Sequence, residues 1–307
     1  MVLERAGLTG ASGMLGGYLL SEFGRRGISC CCTSRSRPGE LPNGSEWSSW
    51  DLRDRKSHAA LDALFPNVQA IVLAGATVPS AQDLQTNGTL FEANVRSSLV
   101  IGEWALDRGL PVVFMSGAIV YAFPDRTGIT ERDEAGPRGF GGFYGFSKYL
   151  GELLFQHLAL EGLRLCILRP SSIYGYVLHP TKMISKFLNT SMNDEVIELL
   201  PPFGDAIDLV HASDVAIAAI QALENEAVGV YNIASGRMAS VQTVAETCVE
   251  VTGAGSVRLI GESEAAPTRR FGLNCTAAQQ AFSYSPRMSL RKGLADMSAV
   301  MKHGVRS

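Results

Sequence analysis

The sequence predicts an α/β fold: an open, doubly wound parallel sheet with a smaller C-terminal region. Three observations predict it. Through the first half of the chain, short apolar runs alternate with helical patterns, the rhythm of βαβ units. The long helical patterns are each closed by a glycine, the residue that most easily takes the turn after a helix. Past about residue 170 the alternation breaks into irregular stretches and isolated elements.

Taken in order, the first strand spans Leu3–Thr9, and a glycine-rich turn leads into a helix over Leu15–Arg26 that stops at Gly27. The second strand, Ile28–Thr33, holds three consecutive cysteines, Cys30, Cys31 and Cys32. Successive strand residues point to opposite faces, so these thiols cannot gather on a metal or form an ordinary disulfide set; they are expected buried and reduced. Further strands are expected at Ala70–Ala74, Val112–Ser116 and Arg164–Leu168, with helices at Leu90–Arg108 (closed by Gly109) and Phe143–Glu161 (closed by Gly162). Tyr174–Pro202 is irregular, with Pro180 and the Pro201-Pro202 pair. A strongly apolar helix at Asp214–Leu223, a strand at Val228–Ile233 and a helix at Ser240–Val251 follow. The expected division is a larger part over 1–170, with returning segments near 205–235, and a second part over 171–307, with no clean linker between them.

Composition narrows the class. Hydrophobic residues make up 46% of 307, enough for a large core, which excludes a disordered chain, a collagen-like chain and a small disulfide scaffold. A net charge of −3 implies no strongly basic face, so nucleic acid is not an expected partner. No apolar stretch approaches the roughly 20 residues of a membrane span. Met1–Gly10 carries no signal-peptide pattern, and with reduced cysteines this points to the cytoplasm. No set of His, Cys, Asp and Glu has metal-ligand spacing. His157 reads as an exposed or packing histidine and His211 as bonded within its turn; the methionines read as core filler.

The turn after the first strand is Thr9-Gly10-Ala11-Ser12-Gly13-Met14-Leu15-Gly16. Its glycines suit three jobs: Gly10 the tight turn, Gly13 a close backbone approach to a pyrophosphate, Gly16 tight packing of helix on sheet. A helix N-terminus at Ser12, Met14 and Leu15 then offers free N–H groups to the anion. This is a dinucleotide cradle. After the second strand, a carboxylate would read a ribose 2′-hydroxyl and a cation a 2′-phosphate. The chain has Ser34 and Arg35 there, which favours NADP, with NAD as the alternative and a solvated loop as the bland reading. Asp51, followed by Leu52, is placed to reach the adenine amino group or simply to stand on the surface.

Tyr144 and Lys148 are four residues apart, which on a helix puts them on one face. A phenol is a poor base at neutral pH. A neighbouring ammonium favours its ionised form, and such a pair can move a proton to or from a carbinol oxygen while a nicotinamide moves the hydride.

The glycine turn and the Tyr144–Lys148 pair together resemble the extended short-chain dehydrogenase/reductases: sugar-nucleotide epimerases, dehydratases and ketoreductases. Asp51-Leu52-Arg53-Asp54, Val72-Leu73-Ala74-Gly75-Ala76, Asn94-Val95, Leu168 to Gly175, Asp208 to Val215 and Tyr231 to Ala234 extend the likeness over nearly the whole chain. The resemblance implies a Rossmann-type sheet with a substrate-binding C-terminal region. It places Leu73, Ala74, Gly75, Tyr144, Lys148, Pro170 and Ile173 along the cofactor, with Lys148 holding the nicotinamide ribose, Thr77, Gly117, Ala118 and Ser172 toward substrate, and Asn94 as a brace for the lysine through water. A Ser or Thr is usual at the end of the fifth strand. Counted back from Val120-Tyr121 that position is Gly117; counted along the strand it is Ser116, which is the expected hydroxyl. An Arg common before the later Asp…His segment is replaced by Ile207, which makes a nucleotide on the substrate less secure; Arg269 or Arg270 is a candidate replacement clamp or a surface charge. The expected activity is NADP-dependent reduction of a ketone on a sugar, nucleotide-sugar or sugar-like substrate. The alternatives are an epimerase with tightly held cofactor and a catalytically silent NADP-binding sensor or scaffold. Dehydration is disfavoured, because Gly117-Ala118 lacks the Asp-Glu pair it needs. The family's two-fold helix pairing implies a homodimer, with Trp104, Leu153 and Phe155 as candidate contacts or, equally, as internal packing.

Overall fold

A computed structural model describes residues 2–79, 86–138, 141–176, 178–261 and 269–303. In chain order the first half reads β1 (Arg5–Thr9), α1 (Met14–Arg25), β2 (Ser29–Ser34), β3 (Glu46–Ser49), α2 (His58–Leu64), β4 (Ala70–Leu73), α3 (Asn87–Phe91), α4 (Ser97–Asp107), β5 (Val112–Met115), α5 (Gly142–Leu160) and β6 (Leu165–Pro170). The second half adds β7 (Ser172–Tyr174), α6 (Met183–Met192), β8 (Val196–Leu199), β9 (Ala206–His211), α7 (Ala212–Glu224), β10 (Gly229–Ile233), β11 (Met238–Ser240), α8 (Val241–Thr252), β12 (Ser256–Leu259), β13 (Arg270–Phe271), α9 (Thr276–Phe282) and α10 (Leu290–His303).

Seven strands form one parallel sheet in the order β3-β2-β1-β4-β5-β6-β10. The order reverses between β1 and β4, so a crevice opens there at the carboxyl ends of the strands, the place where such sheets bind ligands. The second half contributes a smaller sheet, β11-β9-β13 with β7 paired to β9, and the two-stranded β12-β8.

Side-chain alternation divides the core between the two faces of the large sheet. Leu8, Cys30, Cys32, Val72, Val113 and Leu168 pack on one side with Leu19 and Phe23 of α1 and the alanine-rich α7. Cys31, Ile71, Phe114 and Ile167 pack on the other with Trp104 and Phe155. The three cysteines are thus split between faces, buried and free, as their sequence predicts. A third core joins α6, α8 and α10 around Leu188, Val244 and Leu294. Among the described residues no helix is long and apolar enough to cross a membrane, and no three metal-ligating side chains gather.

Two expectations change. The helix expected at 90–108 begins earlier and is interrupted: a π-helical turn, Glu92–Arg96, separates α3 from α4. Thr86 caps its start by accepting the Thr89 N–H, while the Ser97 and Ser98 hydroxyls donate to the carbonyls of Ala93 and Asn94 four residues back. Trp104 and Phe155, expected at a two-fold contact, lie inside the protomer at 1% and 0% exposure; of the three, only Leu153 faces outward.

Candidate active site

The cradle is built by close approach. Gly10 adopts φ +77° between β1 and α1, and a Cβ there would stand 2.5 Å from Gly75 Cα. A Cβ on Gly16 would meet the Gly10 carbonyl at 2.2 Å. Gly13, the N-cap of α1, is open by comparison: a Cβ would touch only the Gly10 oxygen, at 3.2 Å. No side chain caps α1, and Ser12 and Gly13 are exposed, so its first N–H groups face outward as an anion site. These residues fit a dinucleotide pyrophosphate. Met14 and Leu15 are half-buried against the core behind it. Gly16→Ala is expected to destabilise the fold by about 1–3 kcal/mol and to weaken dinucleotide binding by roughly tenfold; thermal melting and NADPH fluorescence titration measure the two effects.

Leu73, Ala74 and Gly75 close the crevice from the end of β4. The Gly75 N–H donates to Thr9 Oγ1 at 3.2 Å, and a Cβ on Gly75 would meet the Leu52 side chain at 3.0 Å, so these predicted residues do come together. Arg35 is exposed just past β2. Asp51 accepts from the backbone N–H, Nε and Nη2 of Arg53, which holds its carboxyl below the usual range; the Arg35 charge acts on it in the same direction. The Ser34 hydroxyl donates to the Ser36 carbonyl at 2.7 Å and accepts from Trp47 Nε1.

Tyr144 and Lys148 lie on the first two turns of α5, and the Lys148 ammonium lies over Phe114 of β5. The ordering of this corner begins at Asn94, in the π-helical turn. Its amide clamps Thr77 by accepting the N–H at 2.7 Å and donating to the carbonyl at 3.0 Å, and it also donates to Ser147 Oγ at 3.0 Å. Ser147 in turn donates to the Tyr144 carbonyl at 2.7 Å. Asn94 thus fixes the backbone that carries the tyrosine and holds the loop after β4. Ser147, which sequence reasoning did not single out, is the link between them.

Lys148 is 4% exposed. Burial lowers its ammonium to about 8, partly opposed by the Glu152 charge one turn on. Burial also pushes the Tyr144 phenol up to about 12. This runs opposite to the lowering expected from the sequence: loss of water is its cause, and Tyr144 holds its proton. Behind the pair, Glu152 receives Nε and Nη2 of Arg169 at 3.0 and 2.6 Å, both side chains almost fully buried. The Arg169 guanidinium lies 4.9 Å from the Tyr121 ring centroid, and the Tyr121 hydroxyl donates to Asn232 at 2.6 Å.

Ser116 follows β5, its N–H bonded to the Leu168 carbonyl. Its Oγ is buried without a hydrogen-bond partner among the described residues, an orphan that invites a ligand oxygen. Gly117 is extended, and a Cβ there would have nothing nearer than Ile119 Cγ2 at 3.7 Å. Ala118 is buried. Pro170 ends β6 with its carbonyl 3.9 Å from that same Cβ position, while Ser172 and Ile173 lie on β7 beside β9. Arg270 opens β13 opposite Ala206, exposed. Arg269 is exposed, with its Nε 3.9 Å from Asp125. His211 caps α7, and burial lowers it to about 4, so it stands neutral and structural as expected.

An open anion cradle at the switch point of a parallel sheet, together with a tyrosine and a buried lysine one turn apart on α5, is the layout of an NAD(P)-dependent enzyme. The profile of the NAD dependent epimerase/dehydratase family matches residues 6–234, and the chain belongs to that family. It is similar to a dTDP-4-dehydro-6-deoxy-D-allose reductase of Streptomyces bikiniensis, 24% identical over 97% of this chain and 96% of that one. Among solved structures it is similar to MoeE5 in complex with UDP-glucose and NAD (24% identity, 98% of this chain and 100% of that one, TM-score 0.82). It is also similar to a UDP-glucose 4-epimerase of Thermotoga maritima (20% identity, 98% and 100%, TM-score 0.83).

Proposed function

We propose that this protein is an NADP-dependent reductase of a ketone on a sugar, nucleotide-sugar or sugar-like substrate, with the first 170 residues and the returning 205–235 segment carrying the cofactor and 171–307 carrying most of the substrate contacts. The observation that carries the reading is the Lys148 ammonium, one turn from Tyr144, lying over Phe114 of β5, with the Ser116 hydroxyl two residues past Phe114 left without a partner among the described residues. A phenol that keeps its proton is an acid, which suits reduction. Bound NADPH would supply the hydride. Tyr144 gives its proton to the carbonyl oxygen as the carbon is reduced, Ser116 donates a hydrogen bond to the same oxygen, and the Lys148 ammonium stabilises the phenolate left behind. The reductase activity of the Streptomyces bikiniensis relative supports this direction.

Arg35 supports NADP over NAD, because it is an exposed cation directly after β2, where the adenosine ribose would lie, and the stretch Thr33–Arg37 holds no carboxylate. Arg35→Ala is expected to raise KM for NADPH about tenfold and leave KM for NADH unchanged. Equal change for both would remove the NADP assignment. A second reading, an epimerase, is favoured by likeness to the Thermotoga maritima enzyme. The deciding experiment offers a panel of keto-sugars and nucleotide sugars with NADPH or NADH, following reduced-nicotinamide absorbance and product mass. A reductase consumes NADPH in step with product. An isomeric product with no net absorbance change establishes the epimerase instead.

A further inference from the structure

Lys148 carries a buried charge in unusual company. Among the described residues it has no ion pair and no hydrogen-bond acceptor; its ammonium lies 4.4 Å from the centroid of the Phe114 ring. The charged and titratable groups around it are otherwise engaged. Glu152, one turn further along α5, gives both carboxylate oxygens to Arg169 of β6. Glu92 and Arg96, on the neighbouring π-helical turn, pair with each other. Tyr144 is uncharged, Asn94 and Ser147 are neutral, and β5 itself has no ionisable residue.

The Phe114 ring is fixed where it is. A Cβ on Gly151 would stand 2.8 Å from Phe114 Cζ, so α5 comes down onto the ring only because that residue is glycine. Phe155 covers its other edge with centroids 4.8 Å apart. Two positions along the chain from Phe114 is Ser116, so one strand end supplies both the lysine's seat and the orphan hydroxyl.

We infer that Phe114 is a positioning residue for the proton-handling pair: the electron-rich face of its ring is the contact that holds the Lys148 ammonium in place one turn from Tyr144 and, with the more distant Glu152 charge, keeps it charged. The inference rests on reading Tyr144 and Lys148 as that pair. A cation over an aromatic face is stabilised more as the two lose water, and Lys148 and Phe114 are 4% and 2% exposed. The ring thereby opposes the burial that lowers Lys148, at the cost of no second buried charge.

The test titrates Lys148 directly. Full-length protein is labelled with ¹³Cε-lysine, free and saturated with NADP, and the Lys148 resonance is assigned by its loss in Lys148→Arg. Position 114 carries Phe, 4-fluorophenylalanine, 3,4,5-trifluorophenylalanine or Phe114→Leu. The expected midpoint falls in that order, reaching about one pH unit lower in Phe114→Leu. The alkaline limb of turnover should move with it. Fluorination leaves the ring's shape nearly intact but weakens its face, so an unmoved midpoint in the trifluoro protein would show that the ring acts by bulk alone and would overturn the inference. That series remains decisive even if Phe114→Leu fails to fold. If the midpoint shifts but no carbonyl substrate is ever reduced, the reductase reading fails while the seat stands; normal turnover with an unmoved midpoint has the opposite meaning.

Discussion

Tyr144→Phe should cut turnover by about 100- to 10,000-fold while leaving NADPH binding close to that of the parent protein. The substitution removes only the phenolic oxygen. The ring, the Ser147 bond to the residue-144 carbonyl and the Asn94 clamp all remain, so the corner keeps its shape. What is lost is the one proton donor that burial keeps protonated over the neutral range. Fluorescence titration with NADPH and steady-state rates on the same preparations separate the two effects. Unchanged turnover would remove Tyr144 from the chemistry. Ser116→Ala should lower the rate less, because a neutral hydrogen bond to the reacting oxygen is a smaller contribution than the transferred proton.

The second large effect is on stability. Glu152→Ala leaves the buried Arg169 guanidinium without its carboxylate and is expected to cost about 3–5 kcal/mol, a fall in Tm on the order of 10 °C. The pair is bidentate, both partners are out of water, and Arg169 is wedged against Tyr121, so the charge cannot swing out to solvent. The double substitution Glu152→Leu with Arg169→Met should recover much of the loss, because two apolar side chains of similar volume leave no unpaired charge behind. Calorimetry of the single and double variants checks this. A single variant that melts with the parent would show that solvent reaches the guanidinium. The same change should also move Lys148 further down, since Glu152 is the nearby charge that holds it up.

The parts of this fold legible in the sequence are those where one strong local preference meets no competition. The central strands are β-branched or apolar runs of a few residues, and the helix ends at Gly27, Gly109 and Gly162 all take positive φ. The cradle was legible for the same reason, since Gly10 and Gly16 stand where any side chain would collide. Strands β8 and β12, of four residues each, were not, because so few residues carry little periodicity and pairing alone defines them. β3, with its Glu-Trp-Ser-Ser stretch at the sheet edge, hides behind polar residues in the same way. The π-helical turn left no mark beyond Ser97 and Ser98. In the site, the Tyr144–Lys148 pair could be named from spacing and Ser116 from the resemblance, but the hydrogen bonds of Ser34 could not: whether a hydroxyl faces outward or its own loop depends on Ser36 and Trp47 folding back onto it. Nothing in the sequence marks Phe114 apart from its strand neighbours; its place under Lys148 depends on α5 packing onto it through Gly151.

The large sheet ends in a strand drawn from far downstream: β6 finishes at Pro170, and its outer neighbour β10 starts only at Gly229. On a ribosome, those residues take roughly 3–12 s to synthesise. Through that interval the nascent polypeptide displays the bare rim of β6, a row of unpaired amides beside apolar side chains, to every other unfinished protein nearby. The cradle and the tyrosine turn are already made by then, yet the half that bears them must wait, sheltered or at risk, for its last strand to arrive.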